Sequence, residues 1–241
     1  MNATPTLSAP PIGAPAPERE ARPSRAWAWS GLIAGIAGLG SMVTSSMVDA
    51  VYDPDLDGDT AKIADKLADQ VPQIIAFHTF AMIAAVALIV FAAGAYRRLA
   101  GTVSAQSLTP LVAFSGIFGT ALVIVLGTGL TTEFVFAVGN QEMASDENSA
   151  FFAHWIGTIP WCWGLVGLSG IALFVAARQG AVPRWLGLVG VIGGGITLLF
   201  GMSPLQYMAG MFAPLGLLVI SLGFLFGDKA YRAGVRVTDE A

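Results

Sequence analysis

The sequence predicts an all-α fold: a polytopic membrane protein of six transmembrane helices with both termini on the cytoplasmic side. Composition is the first reason. Of 241 residues, 55% are hydrophobic and only 12% charged, against roughly 25% charged in a soluble domain. Length is the second. A bilayer core takes about 20 apolar residues per helix. Stretches of that order run Trp27–Val48, Gln73–Tyr96, Leu108–Thr131, Ala150–Ala176, Pro183–Phe200 and Pro204–Phe226. A β-barrel is excluded because its strands would alternate polar and apolar residues.

Charge is the third reason, and it sets orientation. Arg19, Arg22 and Arg25 precede the first stretch, and Arg97 and Arg98 follow the second. Arg178 and Arg184 flank the gap after the fourth, and Lys229, Arg232 and Arg236 follow the sixth. The other set of gaps holds only Lys62 and Lys66 as bases, against seven aspartates between Asp49 and Asp69 and a second group of Glu133, Glu142, Asp146 and Glu147. Ten bases and five acids on one side face two bases and eleven acids on the other, so the sides carry +5 and −9. The basic side is the cytoplasmic one by the Lys/Arg rule.

Taken in order, residues 1–25 read as a disordered tail rich in Pro and Ala. They lack the basic, apolar and cleavable sequence of a signal peptide. Residues 26–228 form the transmembrane domain, with an acidic outer loop at 49–72, and 229–241 form a cytoplasmic C-terminal tail. In the outer loop Thr60 is placed to cap a short helix, Ala61–Val71, whose Ile63, Leu67 and Val71 share one face. Pro72 opens the second span. Pro183 and Pro204 stand at the first positions of the fifth and sixth, where a missing N–H is harmless. Ser203 is the expected N-cap of the last span. Trp27, Trp29, Tyr96 and Trp185 mark the cytoplasmic interface, and Tyr52, Trp155 and Tyr207 the outer one.

Inside the spans, Pro160 releases the carbonyl of Ile156 and Pro214 that of Gly210. Freed carbonyls in membrane helices find neighbouring partners. Gly31/Gly35, Gly190/Gly194 and Gly223/Gly227 fit the small-xxx-small pattern of close helix contacts. Packing within the chain is the first reading of these pairs; a homo-oligomer is the second.

The chemistry-bearing residues lie at one depth. The only two histidines, His78 and His154, sit roughly 6–9 Å inside the outer ends of the second and fourth spans. His154, Thr158, Cys162 and Ser169 make a polar stripe on the fourth. Ser41, Ser45 and Asp49 make another on the first, and Thr128, Thr131, Thr132 and Glu133 close the third. Polar groups in lipid face the bundle interior or a cavity, so an outward-facing pocket over an apolar floor is expected.

Three readings compete for that pocket. In the first it binds a small or lipidic ligand, with Asp49, His78, Glu133, His154, Trp155, Thr158, Trp161 and Gln206 around it. In the second, His78 and His154 hold haem or a transition metal, with Asp49 or Glu133 completing a metal shell or orienting a ring. In the third, these groups only hydrogen-bond between helices. Separately, Asp53, Asp55, Asp57 and Asp59, with Gly58, resemble the first half of an EF-hand calcium loop. The likeness stops there, because Ala64 replaces the bidentate Glu.

Other classes find no support. No Gly-rich phosphate loop, H-E-x-x-H, C-x-x-C or nucleophile elbow occurs, so the chain reads as non-enzymatic. The bases are spread over four segments, which leaves no nucleic-acid footprint. The inner halves of the spans carry no ionisable relay of the kind coupled transport uses.

The run Phe151-Phe152-Ala153-His154-Trp155-Ile156-Gly157-Thr158-Ile159-Pro160-Trp161-Cys162-Trp163, together with Ser203-Pro204-Leu205-Gln206-Tyr207-Met208-Ala209-Gly210, resembles uncharacterised bacterial multi-pass membrane proteins. The resemblance implies a bacterial plasma (inner) membrane location and brings no assigned activity. The expectation is an integral plasma-membrane protein, in contact with the lipid bilayer, that binds a small or lipidic ligand. A bis-histidine redox protein and a structural subunit of a membrane complex are the alternatives.

Overall fold

The computed structural model describes residues 24–140 and 142–229. Most of the two expected tails, 1–25 and 229–241, therefore lies outside the described residues. Eight α-helices occur among the described residues: α1 (Ala26–Ser46), α2 (Thr60–Asp69), α3 (Val71–Ala100), α4 (Thr109–Phe134), α5 (Asp146–Thr158), α6 (Val166–Arg178), α7 (Arg184–Gly201) and α8 (Met208–Leu222). A π-helical turn, Gly223–Gly227, extends α8. No strand is present among the described residues.

Among the described residues, six segments are long and apolar enough to cross a membrane: α1, α3, α4, α5 with α6, α7, and α8 with its π-helical turn. Their outward faces support a lipid solvent. Leu126 is 76% exposed, Leu199 70% and Met202 80%, and apolar surface on this scale needs a cover in a soluble protein. The chain is thus read as a multi-pass membrane protein.

The spans pack in a closed ring in chain order, each against the next and the sixth against the first. Short connections make neighbours antiparallel, so all described arginines gather at one end of the ring and the acidic loops at the other. Bare backbone allows the closest approaches. Gly190 and Gly194 of α7 face Gly167 and Gly170 of α6, where a Cβ on Gly190 would stand 2.6 Å from the Gly170 carbonyl oxygen. Gly31 and Gly35 accommodate Phe91, Leu218 and Ser221, and Gly223 and Gly227 lie under Trp185. All three expected glycine pairs therefore serve packing within the chain.

The basic end is clasped by a buried ion pair. Arg98 (3% exposed) and Asp228 (1%) meet at 2.7 Å. The same guanidinium donates to the Ala181 carbonyl at 2.8 Å and to Thr102 Oγ1 at 3.0 Å. One side chain thus joins the ends of α3 and the π-helical turn to the α6–α7 connection. Arg25 donates to the Leu225 carbonyl and adds the start of α1.

At the acidic end, α2 lies across α5 with Ile63 and Leu67 buried. The expected amphipathic helix is present, but Asp59 rather than Thr60 caps it, accepting from the Lys62 amide at 3.2 Å. The sixth span also starts later than expected. Ser203 and Pro204 lie in a turn, α8 begins at Met208, and the Ser203 hydroxyl donates back to the Phe200 carbonyl at 2.9 Å. Ser203 thus closes α7 rather than capping α8.

The largest departure from expectation is in the fourth span, which is not one helix. α5 stops at Thr158, a 3-10 turn covers Ile159–Trp161, and α6 resumes at Val166. Pro160 starts the break, but packing extends it. Trp163 is fully buried against Gly38 of α1, where a Cβ would come within 2.6 Å of the indole. Its Nε1 donates to the Pro160 carbonyl at 3.0 Å. The Ile156 carbonyl accepts from Ser45 Oγ at 2.8 Å. The partner expected for that freed carbonyl is therefore a serine of the first span.

Candidate functional site

The residues expected around a pocket are spread over several helices and loops of the acidic end. Asp49 and Glu133 are exposed. Asp49 accepts from Gln70 Nε2 at 2.6 Å and pairs with Lys66 at 2.9 Å, tying the loop after α1 to α2. Lys66 also pairs with Asp53 at 2.8 Å. These bonds hold both carboxyls below the usual carboxylate range, through Lys66 first in each case, and raise the Lys66 ammonium in return.

Two of the four calcium-loop residues, Asp53 and Asp59, are engaged in folding the loop. Asp53 also caps the turn Pro54–Leu56 through the Asp55 amide, at 3.0 Å. Asp59 caps α2 and pairs with Lys62 at 2.9 Å, which lowers its pKa. Asp55 and Asp57 belong to the same short stretch. Among the described residues, no three of His, Cys, Asp and Glu gather as a metal-binding set.

The two histidines stand on spans separated by a third. His78 is on α3, which packs against α1 and α4, whereas His154 is on α5, which packs chiefly against α2. His78 is half-buried, and its Nδ1 is enclosed without a protein partner, as are Gln73 Oε1 and Thr131 Oγ1. The register of α3 on α4 is marked by Thr128 Oγ1 against Met82 Sδ at 3.2 Å. His78 lies one turn from that contact. His154 is exposed and meets the Tyr52 ring edge-on, with centroids 5.8 Å apart.

Part of the fourth-span stripe does assemble. Thr158 Oγ1 donates to the His154 carbonyl at 2.8 Å and lies 3.2 Å from the Tyr207 hydroxyl. Burial, with Tyr207 nearby, pushes the Tyr52 phenol up. Trp155 Nε1 donates to the Gly127 carbonyl at 2.7 Å. Trp161 packs on α8, where a Cβ on Gly210 would sit 2.7 Å from its Cα. These contacts bind helices together.

The spaces lie elsewhere. Deep in the ring is an apolar void lined by residues such as Phe91, Ile117, Val166, Leu217 and Phe224, with Ser169 and Thr197 as its hydroxyls. The part wide enough for the centre of a water molecule amounts to about 40 Å³, room for very few waters. A larger recess of about 250 Å³ opens sideways where the fourth span is broken. Cys162, Gly164 and Leu165 of the break, Val123 of α4, Leu198 and Gly201 of α7, and Met202 and Gln206 beyond it form its walls.

Gly164 and Gly201 make the recess. A Cβ on Gly164 would stand 2.8 Å from the Gly201 Cα, so the two backbones touch and no side chain fills the space beside them. The Gly164 and Leu165 amides have no backbone acceptor among the described residues. Non-helical backbone at membrane depth is tolerated where protein buries it or where it lines a cavity. Here it does both: Trp163 points inward and is buried, while Cys162, Gly164 and Leu165 edge the recess. Of the eight residues expected around a pocket, only Gln206 lines this one. No protein-family model matches the chain, and no curated protein or solved structure shows a significant likeness to it.

Proposed function

We propose that the chain is a bacterial plasma-membrane protein, with both termini cytoplasmic, whose outer-leaflet recess at the broken fourth span binds a lipidic ligand. The observation that carries this reading is the recess itself: an apolar lateral opening joined to two backbone donors and one side-chain amide. Val123, Leu165, Leu198 and Met202 suit an acyl or other apolar chain. The amides of Gly164 and Leu165, with Gln206, suit an acceptor oxygen such as an ester carbonyl. Ligand sites commonly combine apolar walls with a few placed polar groups. The orientation rests on the arginines gathered at the opposite end.

A phospholipid with a photoreactive group near its ester tests the binding. Cross-linking of the purified protein in bilayers is expected on 162–165 and 198–206. Met202→Trp, which fills the recess from an exposed position, is expected to reduce it about tenfold, the equivalent of ~1.4 kcal/mol. Uniform labelling of all outward faces, unchanged by Met202→Trp, would sink the reading. A C-terminal reporter that fluoresces only in the cytoplasm checks the orientation.

A further inference from the structure

The α6–α7 hairpin at the basic end holds a second open space, independent of the recess. It is a groove of about 550 Å³, walled by Phe174, Val182, Pro183 and Leu188 and bordered by Arg178 and Arg184. Arg178 ends α6 and Arg184 begins α7, so the groove has a guanidinium on each lip. The turn between them is held open by Gly180, whose φ of 75° suits glycine.

Three observations say what occupies it. First, both guanidiniums are exposed, and neither has an ion-pair or hydrogen-bond partner among the described residues. The described acid at this end, Asp228, is held by Arg98. Second, the groove lies at the level where the apolar spans stop. Trp29, Tyr96 and Trp185, 53%, 44% and 44% exposed, ring the same end, as aromatic residues do at a headgroup layer. Third, the 18-residue helix α7 begins in the groove, and its first amides add positive potential.

We propose that this groove is a binding site for an anionic phospholipid. Arg178 and Arg184 take the phosphate, since guanidinium matches phosphate oxygens with paired N–H donors, and Phe174 and Leu188 lie along the upper acyl chain. Topology alone accounts for arginines at this end of the bundle. It does not account for two arginines on opposite lips of an open, apolar-walled groove.

Native mass spectrometry of the full chain, delipidated in mild detergent and offered phosphatidylglycerol or phosphatidylcholine, tests the site. Selective retention of phosphatidylglycerol is expected. Arg178→Gln with Arg184→Gln is expected to weaken it roughly thirtyfold, from about 1 kcal/mol for each basic residue. Leu188→Trp, which fills the groove and keeps both charges, is expected to lose the lipid as well. Arg97→Gln, an equal loss of charge on an exposed residue at the same end, is expected to change nothing. Equal retention of both lipids, or an equal loss in Arg97→Gln, would overturn the site. Displacement by excess inorganic phosphate would show an anion site without lipid recognition and would also overturn it.

Discussion

Arg98 shows how much one residue can decide in this bundle. As sequence it is one of ten bases that set topology. In the structure it is buried, with Asp228 at 2.7 Å and a backbone carbonyl at 2.8 Å. A buried pair of this kind contributes little net stability compared with apolar replacements, yet breaking it strands a charge. Arg98→Met is therefore expected to destabilise the protein by about 3–5 kcal/mol, and Arg98→Met with Asp228→Leu by much less. Thermal unfolding in detergent, followed by circular dichroism, checks both. If the double variant were as unstable as the single one, the clasp would not act through its buried charge. The pair was not legible beforehand because its members are 130 residues apart and meet only when the ring closes. The histidines show another limit: similar depth is readable from a sequence, but depth says nothing of which helices touch.

At the scale of elements, the six spans were legible because each is a long apolar run ended by charge or proline. The broken fourth span was legible only in part. Pro160 announces the loss of one hydrogen bond, and Ser45 was already in a polar stripe on the first span. What lengthens the break to seven residues, from Ile159 to Leu165, is Trp163 fitting against Gly38, a contact between distant helices that no local spacing reveals. The helix α2 was legible from its periodicity, and its docking has a testable pH dependence. Asp49 and Asp53 have pKa values lowered below 3.8 by Lys66. Their contribution is present above pH 3.8 and lost as pH falls through the lowered values. Lys66 is raised above 10.5, so its contribution is present below that pH and lost as pH rises through the raised value. Amide exchange of residues 60–69, corrected for intrinsic rates, is expected to be flat between these limits and to rise outside them. A rise near neutral pH would mean that these ion pairs do not hold α2.

For the whole molecule, the ring turns six sequence-legible helices into an object whose openings were not legible. Composition marked the six apolar helices and charge distinguished their two ends, but the recess depends on two glycines, Gly164 and Gly201, that come together only through tertiary packing. Several of the polar groups expected around an outward pocket hydrogen-bond between helices, and an opening lies at a break in the backbone. Cys162, the one cysteine in the chain, lines that opening. A nitroxide attached to it in a reconstituted bilayer reports what fills the recess. Relaxation by oxygen, with protection from a water-soluble nickel chelate, is the expected result for a space open to lipid. Relaxation by the chelate would identify a water-filled cavity, and protection from both would identify closed packing; either would contradict the lipid-binding recess.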